Sequence, residues 1–105
     1  MSVEVLQKYT FEGPYPSSES LEDRPGLYLV ACIAEGKCYP VDVGESETLK
    51  TSVENHERKT YWVGNCSGTG TMMFGAMYTP DLQQSDRQQI VREIRTRHNF
   101  ACFEK

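Results

Sequence analysis

Apolar positions in this chain fall into short β-forming runs separated by turn residues, with two stretches of helical period. Residues 27–34 (LYLVACIA) are almost continuously apolar, which predicts a strand buried on both faces. Glu35-Gly36 is a two-residue hairpin connection, and residues 37–44 form its second strand. Alternation along that strand puts Tyr39, Val41 and Val43 on one face, and Cys38, Pro40 and Asp42 on the other. Pro40 favours an edge or a bulge. Ser46 then stands as the N-cap of a helix over residues 47–58, with Leu49, Ser52, Val53 and His56 on one side. Residues 71–78 read as a third strand, closed by Pro80. Ser85 and Gln88 make a capping box for a helix over 86–98 that buries Ile90, Val91 and Ile94. Residues 1–24 read as a lead-in: a short edge strand around Val3 and Val5, then an irregular loop through Gly13, Pro14, Pro16 and Ser17. The tail, with Phe100, Cys102 and Phe103, is expected to pack down. The order β-β-α-β-α predicts an α+β domain over residues 25–105, a small, mostly antiparallel three-stranded sheet with flanking helices.

Composition narrows the class. The 105 residues make one domain, 38% hydrophobic and 25% charged. The longest apolar run is far short of the ~20 residues needed to span a bilayer, so no membrane partner is expected. The first eight residues carry no signal-peptide pattern, which predicts a cytoplasmic protein. In that compartment Cys32, Cys38, Cys66 and Cys102 are expected as reduced thiols buried as small hydrophobes. No CxxC pair is present, so a zinc site from Cys32, Cys38, His56 and Cys66 lacks a local signature. The glycine-rich stretch 64–70 lacks the phosphate-loop lysine and a following helix, and reads as a connector. Net charge is −4. The acidic excess lies in residues 1–59, whereas Arg87, Arg92, Arg95, Arg97 and His98 form a locally basic segment. That distribution argues against strong attraction to nucleic acid in general. It leaves Arg87, Arg92 and Arg95 as the residues that would contact a phosphate backbone.

Several positions, taken in order, resemble a known family. Gly26-Leu27-Tyr28 on the first hairpin strand looks like the G-[IL]-Y half of the GIY-YIG nuclease motif. Asp42-Val43-Gly44 sits where the YIG half belongs, and Glu45-Ser46 follows as in the family's G-E-S pattern. His56 lies twelve residues after Gly44, as the family's helix histidine does. Tyr78-Thr79-Pro80 and the helix segment from Arg87 to Arg95 are also similar, so the resemblance spans residues 25–102. It implies a divalent-metal-dependent phosphodiesterase site of two tyrosines, a helix arginine and a helix glutamate. In such a site a hard cation polarises the phosphate and a guanidinium offsets developing charge.

Only part of that set is present. Tyr28, His56 and the two glycines match, but Asp42 replaces the second tyrosine, Ser52 the arginine and Val91 the metal-binding glutamate. Lys50 and Glu93 are each two residues from a lost position, which on a helix turns them ~200° away. The expected function is therefore a catalytically degenerate GIY-YIG-like domain: a non-catalytic binding module for nucleic acid (weakly), protein or a small ligand, with no cofactor. One alternative is an active DNA endonuclease with a rearranged site of Tyr28, Asp42 and His56, taking Mg²⁺ or Mn²⁺ at Asp42. The other is a homodimeric interaction module using the edge strand at residues 3–5 or the tail phenylalanines. A monomer is the state expected if that module does not form.

Overall fold

The computed structural model describes residues 2–66, 70–97 and 102–104. In chain order the elements are β1 (Ser2–Val5), β2 (Tyr9–Tyr15), β3 (Gly26–Ala34), β4 (Lys37–Ser46), α1 (Leu49–Glu54), α2 (Lys59–Gly64), β5 (Thr71–Tyr78), α3 (Gln84–Thr96) and β6 (Cys102–Glu104). The fold is α+β and every strand pairing is antiparallel. Among the described residues there are six strands, not the three expected, and they curl into a closed barrel in the order β1-β2-β5-β3-β4-β6. No helix among them is long and apolar enough to cross a membrane.

The extra strands come largely from residues 1–24, which read as a lead-in. Val3 and Val5 of β1 and Phe11 of β2 are buried in the core. The expectation of a free edge at residues 3–5 is corrected, because β1 is paired on one side with β2 and on the other with β6. That removes the edge on which strand-to-strand dimerisation through this segment would depend. Gly13-Pro14-Tyr15, expected in a loop, continues β2, and the pairing with β5 shifts register between Glu12 and Tyr15.

The β3–β4 hairpin follows the sequence closely. Glu35 and Gly36 take φ values of 53° and 76°, the left-handed pair that a tight hairpin turn needs. A register shift at Val30/Ala31, opposite Asp42 and Pro40, leaves Val41 as the extra residue of a bulge beside the proline. β3 is buried on both faces, as its composition required. Leu27, Leu29 and Ala31 join Val3, Val5, Phe11 and Val43 in one core, which Val91 and Ile94 of α3 close. Tyr28 and Val30 face a second core with Leu49, Val53, Trp62, Phe74 and Ala76, under α1 and α2.

The helices depart from the expected boundaries. The single helix over 47–58 is two: α1 begins after Thr48, not Ser46, and ends at Glu54, and the separate α2 follows at Lys59. Ser46 Oγ accepts the Thr48 N–H without acting as the helix cap. α3 starts two residues earlier than expected, with the Asp86 carboxylate accepting the Gln83 N–H at 3.1 Å. Its buried stripe is Arg87, Val91 and Ile94, while Ile90 is only partly buried.

The cysteines correct the sequence reading. Cys32 and Cys66 form a disulfide, and Cys38 is also disulfide-bonded. Neither reduced thiols nor a zinc site from Cys32, Cys38, His56 and Cys66 remains available. Local spacing carried no signal because the bridge joins residues 34 positions apart. Residues 67–69 of the glycine-rich connector, His98 and Phe100 lie outside the described residues. At the tail, Cys102–Glu104 supplies β6.

Candidate functional site

Antiparallel register places Tyr28 opposite Gly44 and Val30 opposite Asp42, so Tyr28, Asp42 and Gly44 share the outer face of the hairpin. Tyr28 lies across Gly44: a Cβ at position 44 would overlap its Oη and Cζ atoms. The glycine is thus a requirement of the tyrosine's placement. Beyond the end of α1, His56 Nε2 stands 2.8 Å from Tyr28 Oη. His56 Nδ1 accepts the Arg58 N–H at 3.0 Å. The neutral ring therefore carries its proton on Nε2 and donates it to the phenol oxygen, leaving the Tyr28 O–H to donate elsewhere. Burial, with a smaller contribution from the Asp42 charge, pushes the Tyr28 phenol up to about 12. At neutral pH it is a hydrogen-bond donor and a poor base.

Asp42 is committed elsewhere. Its side chain is 6% exposed. Oδ2 accepts the Trp62 indole N–H at 2.8 Å, and Oδ1 accepts the Val43 N–H at 2.9 Å. The guanidiniums of Arg58 and Arg95 lie 3.7 Å and 3.5 Å away. The carboxylate locks α2 onto β4 through Trp62. Trp62 also stacks on the His56 ring, with centroids 4.6 Å apart. Both Asp42 oxygens accept N–H donors and two guanidiniums flank them, an environment that disfavours a further cation. No group of three or more His, Cys, Asp or Glu among the described residues is arranged to hold a metal ion.

The remaining positions sort cleanly. Ser52 Oγ bonds Ser46 Oγ at 2.6 Å. Val91 is buried against the cleft beside Tyr28. Glu93 turns away from the cleft, as helix geometry demanded, and meets Lys8 at 3.1 Å and the Tyr9 hydroxyl. Those two partners hold its carboxyl below the usual range.

Arg87, expected at a phosphate backbone, is 2% exposed. Its Nε donates to Glu45 Oε1 at 2.9 Å and its Nη1 to the Leu82 carbonyl at 3.1 Å. It is a core cation for Glu45 and presents no surface to a ligand. The sequence contained the signal: Arg87 sits four and seven residues before Val91 and Ile94, on the buried stripe. Trp62 and Glu45 were also missed as site residues.

Two adjoining clefts share Tyr28 and Glu45. One, of about 390 Å³, runs between the hairpin and α3 and is lined also by Gly44, Gln88, Val91, Arg92 and Arg95. The other, of about 410 Å³, is lined by Thr51, Ser52, Asn55, His56 and Glu57. In the first, Gln88, Arg92 and Arg95 form one stripe of α3 at spacings of four and three. Arg95 is half-exposed and braced on the Val43 carbonyl at 2.7 Å. The cleft thus offers the Tyr28 hydroxyl, the Gln88 amide and two guanidiniums, while its carboxylate, Glu45, is already paired with Arg87. Chemically it is arranged for an anion.

No protein-family model matches the chain, and neither a curated protein nor a solved structure matches it.

Proposed function

We propose that this chain is a catalytically degenerate GIY-YIG-like domain that binds a phosphate-bearing ligand, a nucleic-acid backbone foremost, in the cleft between the β3–β4 hairpin and α3, and does not cleave it. The carrying observation is the donor set around Tyr28: Arg92, Arg95 and Gln88 face the cleft, while Asp42 and Glu45 are consumed by Trp62 and Arg87. Two guanidiniums suit phosphate geometry and raise local anion concentration despite the net negative charge. Hydrolysis would need a carboxylate free to hold a cation and a base stronger than a phenol raised to about 12. Mg²⁺ and Mn²⁺ have no part in this reading. The Cys32–Cys66 bridge favours an oxidising compartment over the cytoplasm.

The test is fluorescence anisotropy with labelled single- and double-stranded oligonucleotides in EDTA, beside a plasmid-nicking assay in Mn²⁺. Binding should be insensitive to EDTA and weaken with salt, and Arg92→Ala/Arg95→Ala should shallow the salt dependence by about two phosphate contacts. Nicking that disappears in Asp42→Ala would overturn the non-catalytic reading. Affinity unchanged in the double variant would overturn the ligand.

A further inference from the structure

We propose that the Cys32–Cys66 disulfide is a redox latch on the second cleft, the one lined by His56: oxidised, it holds α2 and His56 against Tyr28, and reduced, it lets that wall swing away while the barrel stays folded. The assembly claim stands on the geometry alone, and its consequence for ligand binding rests on the function proposed above.

α2 has little else to hold it. It is six residues long, too short to persist without tertiary anchors, and Trp62 is its one buried residue. Its N-cap, Arg58, makes no side-chain capping bond, and Tyr61 and Val63 are 53% and 60% exposed. Among the described residues two buried anchors fix this helix, the Trp62 side chain and Cys66 two residues past its end, bridged to Cys32 in β3, beside the exposed Arg58–Asp42 pair at its N-cap. α1 is secured independently. Leu49 and Val53 are buried, the Leu49 N–H reaches the Arg24 carbonyl at 3.2 Å, and Thr51 bonds the Asp23 carboxylate through both its N–H and its hydroxyl. The segment free to move thus begins near Asn55. It contains His56 itself, Arg58 with the N–H that sets its tautomer, and Trp62 with the indole that packs on it and holds Asp42, while Thr51 and Ser52 on the same side stay with α1.

The bridge is reachable from one end. Cys32 is 6% exposed, whereas Cys66 is half-buried. A dithiol reductant supplies the chemistry. Its thiolate attacks Cys66 Sγ, the Cys32–Cys66 bond breaks, and Cys32 leaves as a thiolate that takes up a proton. The reductant's second thiol then displaces Cys66, which is also protonated. Two electrons and two protons pass to the protein, and the reductant departs as its own disulfide.

Trp62 is the sole tryptophan of the chain and fully buried, so its emission reads α2 docking directly. Emission and far-UV circular dichroism are recorded on oxidised protein, on protein reduced with dithiothreitol, and on Cys66→Ser. The last leaves the bond at Cys38 untouched. Alkylation with mass spectrometry counts the free thiols in each. The expected result is a red shift of Trp62 emission in both treated forms, with the sheet signal retained. The nuclear Overhauser cross-peak between Tyr28 and His56 should disappear in both. Labelled-oligonucleotide affinity should fall severalfold in parallel, because Asp42, released by Trp62, competes for the Arg95 guanidinium 3.5 Å away. Emission unchanged once Cys32 and Cys66 are shown reduced would overturn the latch. So would disappearance of the whole sheet signal, or Cys32 and Cys66 alkylating without reductant. A red shift in a protein that binds no oligonucleotide when oxidised would leave the latch standing and remove the proposed ligand.

Discussion

Replacing Asp42 with alanine separates a structural carboxylate from a metal-binding one. Asp42 receives an indole N–H at 2.8 Å and a backbone N–H at 2.9 Å. Hydrogen bonds to a charged acceptor contribute about 1.5–3 kcal/mol each, and a buried donor left unpaired costs about 1–3 kcal/mol. The two guanidinium pairs add only tenths of a kcal/mol, because Arg58 and Arg95 are 53% and 49% exposed and sit beyond 3 Å. The indole bond therefore dominates. Asp42→Ala should lose about 3–5 kcal/mol, a large part of a domain's usual 5–15 kcal/mol. Asp42→Asn keeps an acceptor for Trp62 and should lose about 1–2 kcal/mol. Guanidinium unfolding followed by Trp62 fluorescence measures both. Thermal unfolding of Asp42→Ala at low and high NaCl should show nearly the same deficit, since screened ion pairs contribute little. A loss below about 1 kcal/mol, or one that vanishes in salt, would refute the assignment of Asp42 to the Trp62 bond.

Other expectations follow from single contacts. Raising pH should destabilise the fold between about 10 and 12, because the unfolded chain ionises Tyr28 first while the folded phenol resists to about 12. The loss, about 2–3 kcal/mol, should be absent in Tyr28→Phe when unfolding is followed against pH. Gly44→Ala should cost about 1–3 kcal/mol by forcing Tyr28 aside and should separate its hydroxyl from His56, visible by nuclear magnetic resonance. Arg87→Ala should lose about 2–4 kcal/mol by stranding the partly buried Glu45 carboxylate, read by thermal unfolding, whereas Arg92→Ala should leave stability within about 0.5 kcal/mol of the parent.

What the sequence made legible was what local rules decide. The β3–β4 hairpin follows from an apolar run and a turn that accepts positive φ. The antiparallel α+β class follows from that hairpin, the alternation over β5 and the apolar face of α3. The rest depended on partners far along the chain. β1 is short and β2 carries Gly13-Pro14, and they become strands because β5 and β6 complete their ladders. The expected helix over 47–58 breaks at His56 because its ring is captured by Tyr28 and by the Arg58 N–H, side-chain bonds that compete with helix continuation. α2, with a tyrosine, a tryptophan and a valine in succession, has no helical propensity to announce it and exists through Trp62 and the disulfide. At the site, Tyr28, Gly44 and His56 lie together. The fate of Asp42 was invisible, because the tryptophan that claims it lies twenty residues away in a helix the sequence does not declare.

The proposal to be tested is that this cleft binds an anion and holds no divalent metal. The most direct measurement is titration of isotopically labelled protein with paramagnetic Mn²⁺, followed residue by residue. The account predicts no saturable broadening centred on Tyr28, Asp42, Glu45 or His56, and undisturbed signals from Gly44 and the Trp62 indole. Saturable broadening focused on those residues, and abolished in Asp42→Ala, would contradict it.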